Sequence, residues 1–426
     1  MVSFLSLLFP LGFALMAIGG RKPEEAKEVV YIFLISLALG TLGYFVSGFA
    51  FEFGGIGLVH RNISGLDGLI WEWSPLDVRW GPGWGVIGLY GFFLKGKKLS
   101  PEALSLFLHG LSLVSLAVFL PLANLWGRIN RFALLAVGLV IAFFLHPVVG
   151  NWVWGGGWLY HLGKNAGLGH GFIDVLGAST PHLAGAFTSF LGIAISGFRK
   201  KPSQAPVMPP VHIPLMAGLG LVLALIGAGA YLNGHPIYSV NPSIRMDVGV
   251  INIMVGAMGG ILGASFYSFL AISRGDFLMA IRGGAAGLIA AGGACFFIPF
   301  WASWIAGFIV GFLIPPVVYL WEEALKFGDP SGVMAVSGLG SIVGILLPAF
   351  LASGEYGEGW NGVPANYLGI SGQGVSGLLV SPGFIPDFPH QLYAQLIGLG
   401  AVMLWCAVVL LPIFLIVRYI TSDSKK

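Results

Sequence analysis

Between Phe172 and Phe187 the chain reads FIDVLGASTPHLAGAF, which sets an aspartate, Asp174, eight residues before a histidine, His182, among small and apolar residues. An imidazole carries one donor and one acceptor and exchanges a proton near neutrality. A carboxylate before a helix accepts backbone N–H bonds and favours the positive end of the helix dipole. From Phe327 to Ile342 the pattern recurs as FGDPSGVMAVSGLGSI, pairing Phe172 with Phe327, Asp174 with Asp329, Gly177 with Gly332 and Gly185 with Gly340. At the offset of His182 stands Ser337. A serine hydroxyl hydrogen-bonds but holds no proton near neutral pH. The spacing therefore predicts a two-sided site, one side titratable and one not.

The elements that carry these residues follow from composition. Of 426 residues, 56% are hydrophobic and 9% charged, with 66 glycines. Soluble domains carry about 25% charge, so this chain belongs in a bilayer. A span needs roughly 20 apolar residues. Eleven runs qualify: 3–20, 29–53, 101–123, 132–153, 174–197, 212–232, 247–273, 279–298, 301–321, 331–353 and 392–419. The run WGVIGLYGFFL (84–94) is too short and reads as re-entrant or interfacial. The first run leads into GGRKPEEAK without a small-residue cleavage site, so it reads as a span and not a removable leader. With the N-terminus outside, Arg21, Lys22, Lys27, Arg128, Arg131, Arg199, Lys200, Lys201, Arg274, Arg282, Lys326, Arg418, Lys425 and Lys426 fall inside. Only Arg61, Arg79, Lys95, Lys97, Lys98, Lys164 and Arg245 fall outside. That bias predicts a multi-pass cell-membrane protein with its C-terminus in the cytoplasm.

No soluble domain is evident, and 1–426 reads as one transmembrane domain. The charged, proline-rich RKKPSQAPVMPP (199–210) divides it into a first half, 1–198, and a second, 211–353, leaving 392–419 as a final helix. Five spans per half is odd, so the halves oppose each other across the bilayer. The expected fold is all-α: an inverted five-plus-five repeat plus one helix, with its working site at the midplane between halves. Matching glycines let helices approach closely. Cys295 and Cys406 lie inside apolar runs and read as small buried hydrophobes. His161 and His170, nine apart in a glycine-rich loop, read as solvated and not as metal ligands. No nucleophile–base pair, metal spacing or phosphate loop emerges, so neither an enzyme, a cofactor nor a nucleic-acid partner is expected.

The residues NWVWGGGWL (151–159), DVLGASTPHLAG (174–185), GDPSGVMAVSGLGSIVG (328–344) and PHQLYAQLIG (389–398) resemble the ammonium transporter and Rh channel superfamily. That resemblance implies a homotrimer in the lipid bilayer, each subunit holding a narrow hydrophobic pore for ammonium or ammonia. It implies that Trp154 flanks an outer cation site, where a ring face contributes roughly 0.5–2 kcal/mol. Trp152, Trp154 and Trp158 together also fit an interfacial belt. Asp174 matches the family's aspartate and reads as a shaper of the outer vestibule. His182 matches the first pore histidine. Three departures stand out. Ser337 occupies the place of the second histidine. The family's gate phenylalanine falls on Leu111 or Ser112, with Phe107 a turn away. Ile251, beside Asn252, stands where a second gate phenylalanine belongs. The chain also ends at Lys426, which leaves little tail for docking a PII-type regulator.

An ion in an apolar pore costs many kcal/mol unless paired. A pore with one imidazole is thus expected to pass neutral ammonia without current. A non-transporting sensor or ammonium-binding homologue, or a channel for another small neutral molecule, remains the alternative.

Overall fold

Within a bilayer each backbone N–H and C=O must be satisfied inside its own segment, so apolar runs of this length fold as helices. The computed structural model of the protein describes residues 2–19, 21, 25–95, 99–196 and 212–423. The linker 199–210, and Lys97 and Lys98, lie outside the described residues. The chain is mostly helical. In order come α1 (Val2–Ile18), α2 (Ala26–Val59), α3 (Pro101–Leu125), α4 (Arg131–Val153), α5 (Ala184–Ser196), α6 (His212–Gly234), α7 (Met246–Ile272), α8 (Phe277–Gly292), α9 (Phe300–Ala324), α10 (Val333–Leu351) and α11 (His390–Asp423). Among the described residues, eight of these are long and apolar enough to cross a membrane, while α1 and α8 are shorter apolar helices.

Local chemistry fixes several starts. Ser100 caps α3, its Oγ accepting from the Ala103 N–H at 3.1 Å, with Pro101 in the first turn. Asn130 caps α4 and Asp276 caps α8 in the same way. The run 84–94 forms no crossing helix. It supplies β2 (Ile87–Gly88), antiparallel to β1 (Glu72–Trp73), then a turn at Phe92–Leu94 in which Phe93 (φ 54°) and Leu94 (φ 50°) are left-handed.

Glycine sets the closest helix contacts. A Cβ at Gly12 of α1 would overlap the backbone of Gly220 and Ala224 in α6, and one at Gly227 would overlap Phe9. Backbones approach here because no side chain intervenes. Gly256 and Gly260 of α7 meet Gly307 and Gly311 of α9 in the same manner.

Two extended segments precede broken helices, and each is fastened from the side. Residues 170–173 are held by amides. Gln391 accepts from the His170 N–H at 2.8 Å and donates to the Gly171 carbonyl at 2.9 Å. Gln395 brackets Ile173 through its N–H (2.8 Å) and carbonyl (2.9 Å). Residues 327–331 are held by guanidiniums. Arg128 donates to the carbonyls of Phe327 (2.5 Å) and Gly328 (2.7 Å), Arg282 to Pro330 (3.0 Å), and Arg21 to the Ser331 hydroxyl (2.9 Å).

Candidate functional site

The two echoing sequences fold alike. After Asp174, Gly177 turns through a left-handed conformation (φ 84°), and Ala178–Leu183, a helical stretch interrupted by an extended Thr180 (φ −142°, ψ 125°), leads into α5. After Asp329, Gly332 does the same (φ 70°), and Val333–Ser337 leads into the rest of α10. A side chain with a Cβ disfavours that backbone region, which explains a glycine at both places. Asp174 accepts four bonds: from the N–H groups of Gly177 and Ala178 at 2.9 Å, and from the N–H (2.7 Å) and hydroxyl (2.6 Å) of Ser179. Asp329 accepts from the Ala335 N–H at 2.8 Å. Both carboxylates thus satisfy the free N–H groups of a broken helix.

The breaks bring His182 and Ser337 together. His182 Nδ1 lies 3.2 Å from Ser337 Oγ, both side chains about 1% exposed. Phe13 and Phe9 of α1 close over the imidazole, their ring centroids 5.0 and 6.0 Å from it. The second ring nitrogen, Nε2, is buried without a protein partner. Beyond Ser337 lies a small void of about 30 Å³, walled by Phe13, Phe119, Val333 and Val336, with Arg282 and Ser331 also on it.

Asp174, at the start of the first broken helix, borders a separate vestibule of about 340 Å³. Trp154, Asp174, Tyr160, His235, Tyr238 and Trp360 line it. Trp154 donates its indole N–H to the Asp174 carbonyl at 2.7 Å, so the tryptophan and the helix break share one support. His60 is also on the wall. Burial first, and then the nearby His161, push its imidazole down to about 4, so it is a neutral acceptor at neutral pH.

The remaining expected site residues do not meet here. Ser112 is buried in α3 and donates to the His109 carbonyl at 2.7 Å. Phe107 stacks on Tyr44 with centroids 5.3 Å apart. Ile251 is 38% exposed on α7. Asn252 is buried and ties α7 to the turn after α8, donating to the carbonyls of Cys295 and Ile298 at 2.8 Å each. The expectation that His161 and His170 are solvated is corrected, since they are 7% and 0% exposed. His170 packs on Tyr367, and the Tyr160 ring covers His161. Aromatic neighbours exclude water from a loop whose glycines had suggested a solvated turn.

Several buried polar groups went unmarked in the sequence. His109 and His235 lie ring to ring, with centroids 5.3 Å apart. Glu52, on α2, has Oε2 3.9 Å from His146 Nε2, and His146 Nδ1 lies 2.9 Å from the Thr180 hydroxyl. The signal existed, because His109, Glu52 and His146 are ionisable residues inside predicted spans, where such groups are costly and tend to be functional.

A profile of the Ammonium Transporter Family matches residues 1–422. The "Ammonium transporter Amt2" of Archaeoglobus fulgidus is 25% identical over 364 residues, covering 83% of this chain and 70% of its own length. The "Ammonium transporter 1 member 3" of Solanum lycopersicum is 23% identical over 443 residues, 99% of this chain and 88% of that one. Among solved structures, a "Sensor Amt Protein" superposes with a TM-score of 0.74 at 21% identity, covering 98% of this chain and 91% of that one. Mep2 of Candida albicans gives 0.70 at 18% identity, with 98% and 81% covered. At those identities the structures speak for the fold. With a profile match running nearly from end to end, the chain belongs to the Ammonium Transporter Family.

Proposed function

We propose that the protein is a membrane pore for ammonium or ammonia, crossed by the neutral molecule. The observation that carries this reading is the buried His182–Ser337 pair, whose serine borders the small void and whose histidine follows Asp174, a wall residue of the vestibule, on the same broken helix. Its unpartnered imidazole nitrogen offers a polar step in an otherwise apolar passage, walled by Phe9 and Phe13. Family membership and relatives named as ammonium transporters support the substrate.

In this reading eleven spans run from an outer N-terminus to an inner C-terminus. The local likeness of the two broken helices supports two inverted halves. The three arginines that fasten residues 327–331 support an inner position for that end. Three copies assemble, each with its own path, and the protein is not an enzyme.

Uptake of labelled methylammonium into proteoliposomes, with current recorded in parallel, tests the function. The expected result is saturable uptake with little or no current. Saturable binding without uptake would make the protein a sensor or binding homologue instead.

A further inference from the structure

Ser337 leaves its site with one imidazole, but two other imidazoles meet where His235, on the vestibule wall, packs against His109. His109, on α3, lies edge-on to His235, which follows α6, with centroids 5.3 Å apart. Tyr231 packs against both, at 5.5 and 5.3 Å. His235 stacks on Tyr238 at 4.1 Å with an interplanar angle of 22°. His235 and Tyr238 line the vestibule, so the cluster borders the space a solute enters.

The protonation of His109 can be read from its partner. Its Nδ1 lies 2.7 Å from the Ser105 carbonyl, which can only accept. Nδ1 therefore carries the proton and Nε2 presents a lone pair. That Nε2 is buried without a protein partner, as is Nδ1 of His235. Gly234 faces it without a side chain, and a Cβ there would stand 2.7 Å from Nε2. Other titratable groups around the cluster are Tyr231 and Tyr238, His60 across the vestibule, Tyr44 on α2 beside Gly110, and Glu52 and Asp174 near Tyr231. Asp174 is committed to its four donors. A buried lone pair walled by electron-rich rings suits a small cation that donates N–H bonds.

We propose that His109 and His235, walled by Tyr231 and Tyr238, form a second imidazole site that deprotonates a small ammonium-type cation at the vestibule wall, before the neutral amine moves on to His182. This deepens the ammonium reading and rests on it. In the step, one N–H bond of the cation breaks, and its electron pair stays on the amine nitrogen. The proton forms an N–H bond with His109 Nε2. The imidazolium then returns the proton, directly or through His235, to vestibule water. One neutral amine moves inward, one proton goes back outward, and no net charge crosses.

The test compares the wild type with His109→Phe and His235→Phe, which keep an aromatic ring and remove the acceptor. At fixed total methylammonium, wild-type uptake is expected to stay within about twofold between about pH 6 and about pH 8, because the site draws on the cation. Uptake by each variant is expected to follow the neutral fraction, rising about tenfold per pH unit. A uniform loss at every pH, or an unchanged profile, would overturn the proposal. A second readout does not depend on transport: nitrogen-15 histidine spectra of the purified protein titrated with methylammonium chloride against sodium chloride. Saturable shifts at His109 and His235 with the amine alone are expected, and their absence overturns the proposal. Shifts in a protein without uptake would sink the transport reading and leave the imidazole site standing.

Discussion

At position 337 the difference between a hydroxyl and an imidazole is one exchangeable proton. His182 Nδ1 has Ser337 as its partner at 3.2 Å, so a histidine there would complete a pair able to pass a proton along. Ser337→His is therefore expected to create an ammonium-dependent current in proteoliposomes where the wild type shows uptake alone. A robust wild-type current, abolished by His182→Ala and unchanged by Ser337→Ala, would show that one imidazole suffices, with a chain of waters carrying the proton. The meeting of 182 and 337 was legible in sequence because both lie at the same offset in a repeated segment. The meeting of His109 with His235 was not. Those two residues share no repeated offset, and only the packing of α3 against the end of α6 joins them. The expected gate positions Leu111 and Ser112 lie on the same helix as His109. A resemblance transfers residue types, and on α3 the residue against the vestibule cluster is His109, two positions before Leu111.

The broken helices are the elements that position this chemistry, and their glycines are not equivalent. Gly332 has φ 70°, so alanine there would cost roughly 1–2 kcal/mol. Gly338, a few residues on, is helical, and an added Cβ would meet only the Ala186 Cβ at 3.6 Å. Alanine at 338 should be neutral or stabilising by up to about 1 kcal/mol. Thermal unfolding in detergent is expected to show a lowered midpoint for Gly332→Ala and none for Gly338→Ala; equal losses would mean that conformation is not the reason for the glycine. Asp174→Ala removes the acceptor for three backbone N–H groups and the Ser179 hydroxyl, and should cost about 0.5–2 kcal/mol or more. The long helices were legible from apolar length, but the expected span 174–197 was not, since regular α-helix among the described residues there runs only from Ala184 to Ser196. Nor were the helix breaks, because they arise where Gln391, Gln395 and the arginines hold an extended strand against a helix that is distant in sequence.

Across the whole molecule, orientation and assembly are the open expectations. A cysteine at Glu323, exposed near the arginine-fastened end, should react with a membrane-impermeant thiol reagent only from the cytoplasmic side. One at Asp67, exposed in the loop between α2 and α3, should react only from outside; the native Cys295 and Cys406 are buried and should stay silent. The reverse pattern would invert the topology. Mass measured in mild detergent is expected to be three times that of the 45.0 kDa chain, and a stable monomer or dimer would count against separate paths in a trimer. The glycine seam between α1 and α6 also bears on how the chain is born. Residues 2–18 leave the ribosome some two hundred residues before the surface they seat against. At about 5–20 residues per second the first helix stays in the lipid for roughly 10–40 seconds without its mate. Its glycine face stays open to any passing small-residue helix during that interval, which makes biogenesis, and not the finished pore, the stage most exposed to substitutions at Gly12.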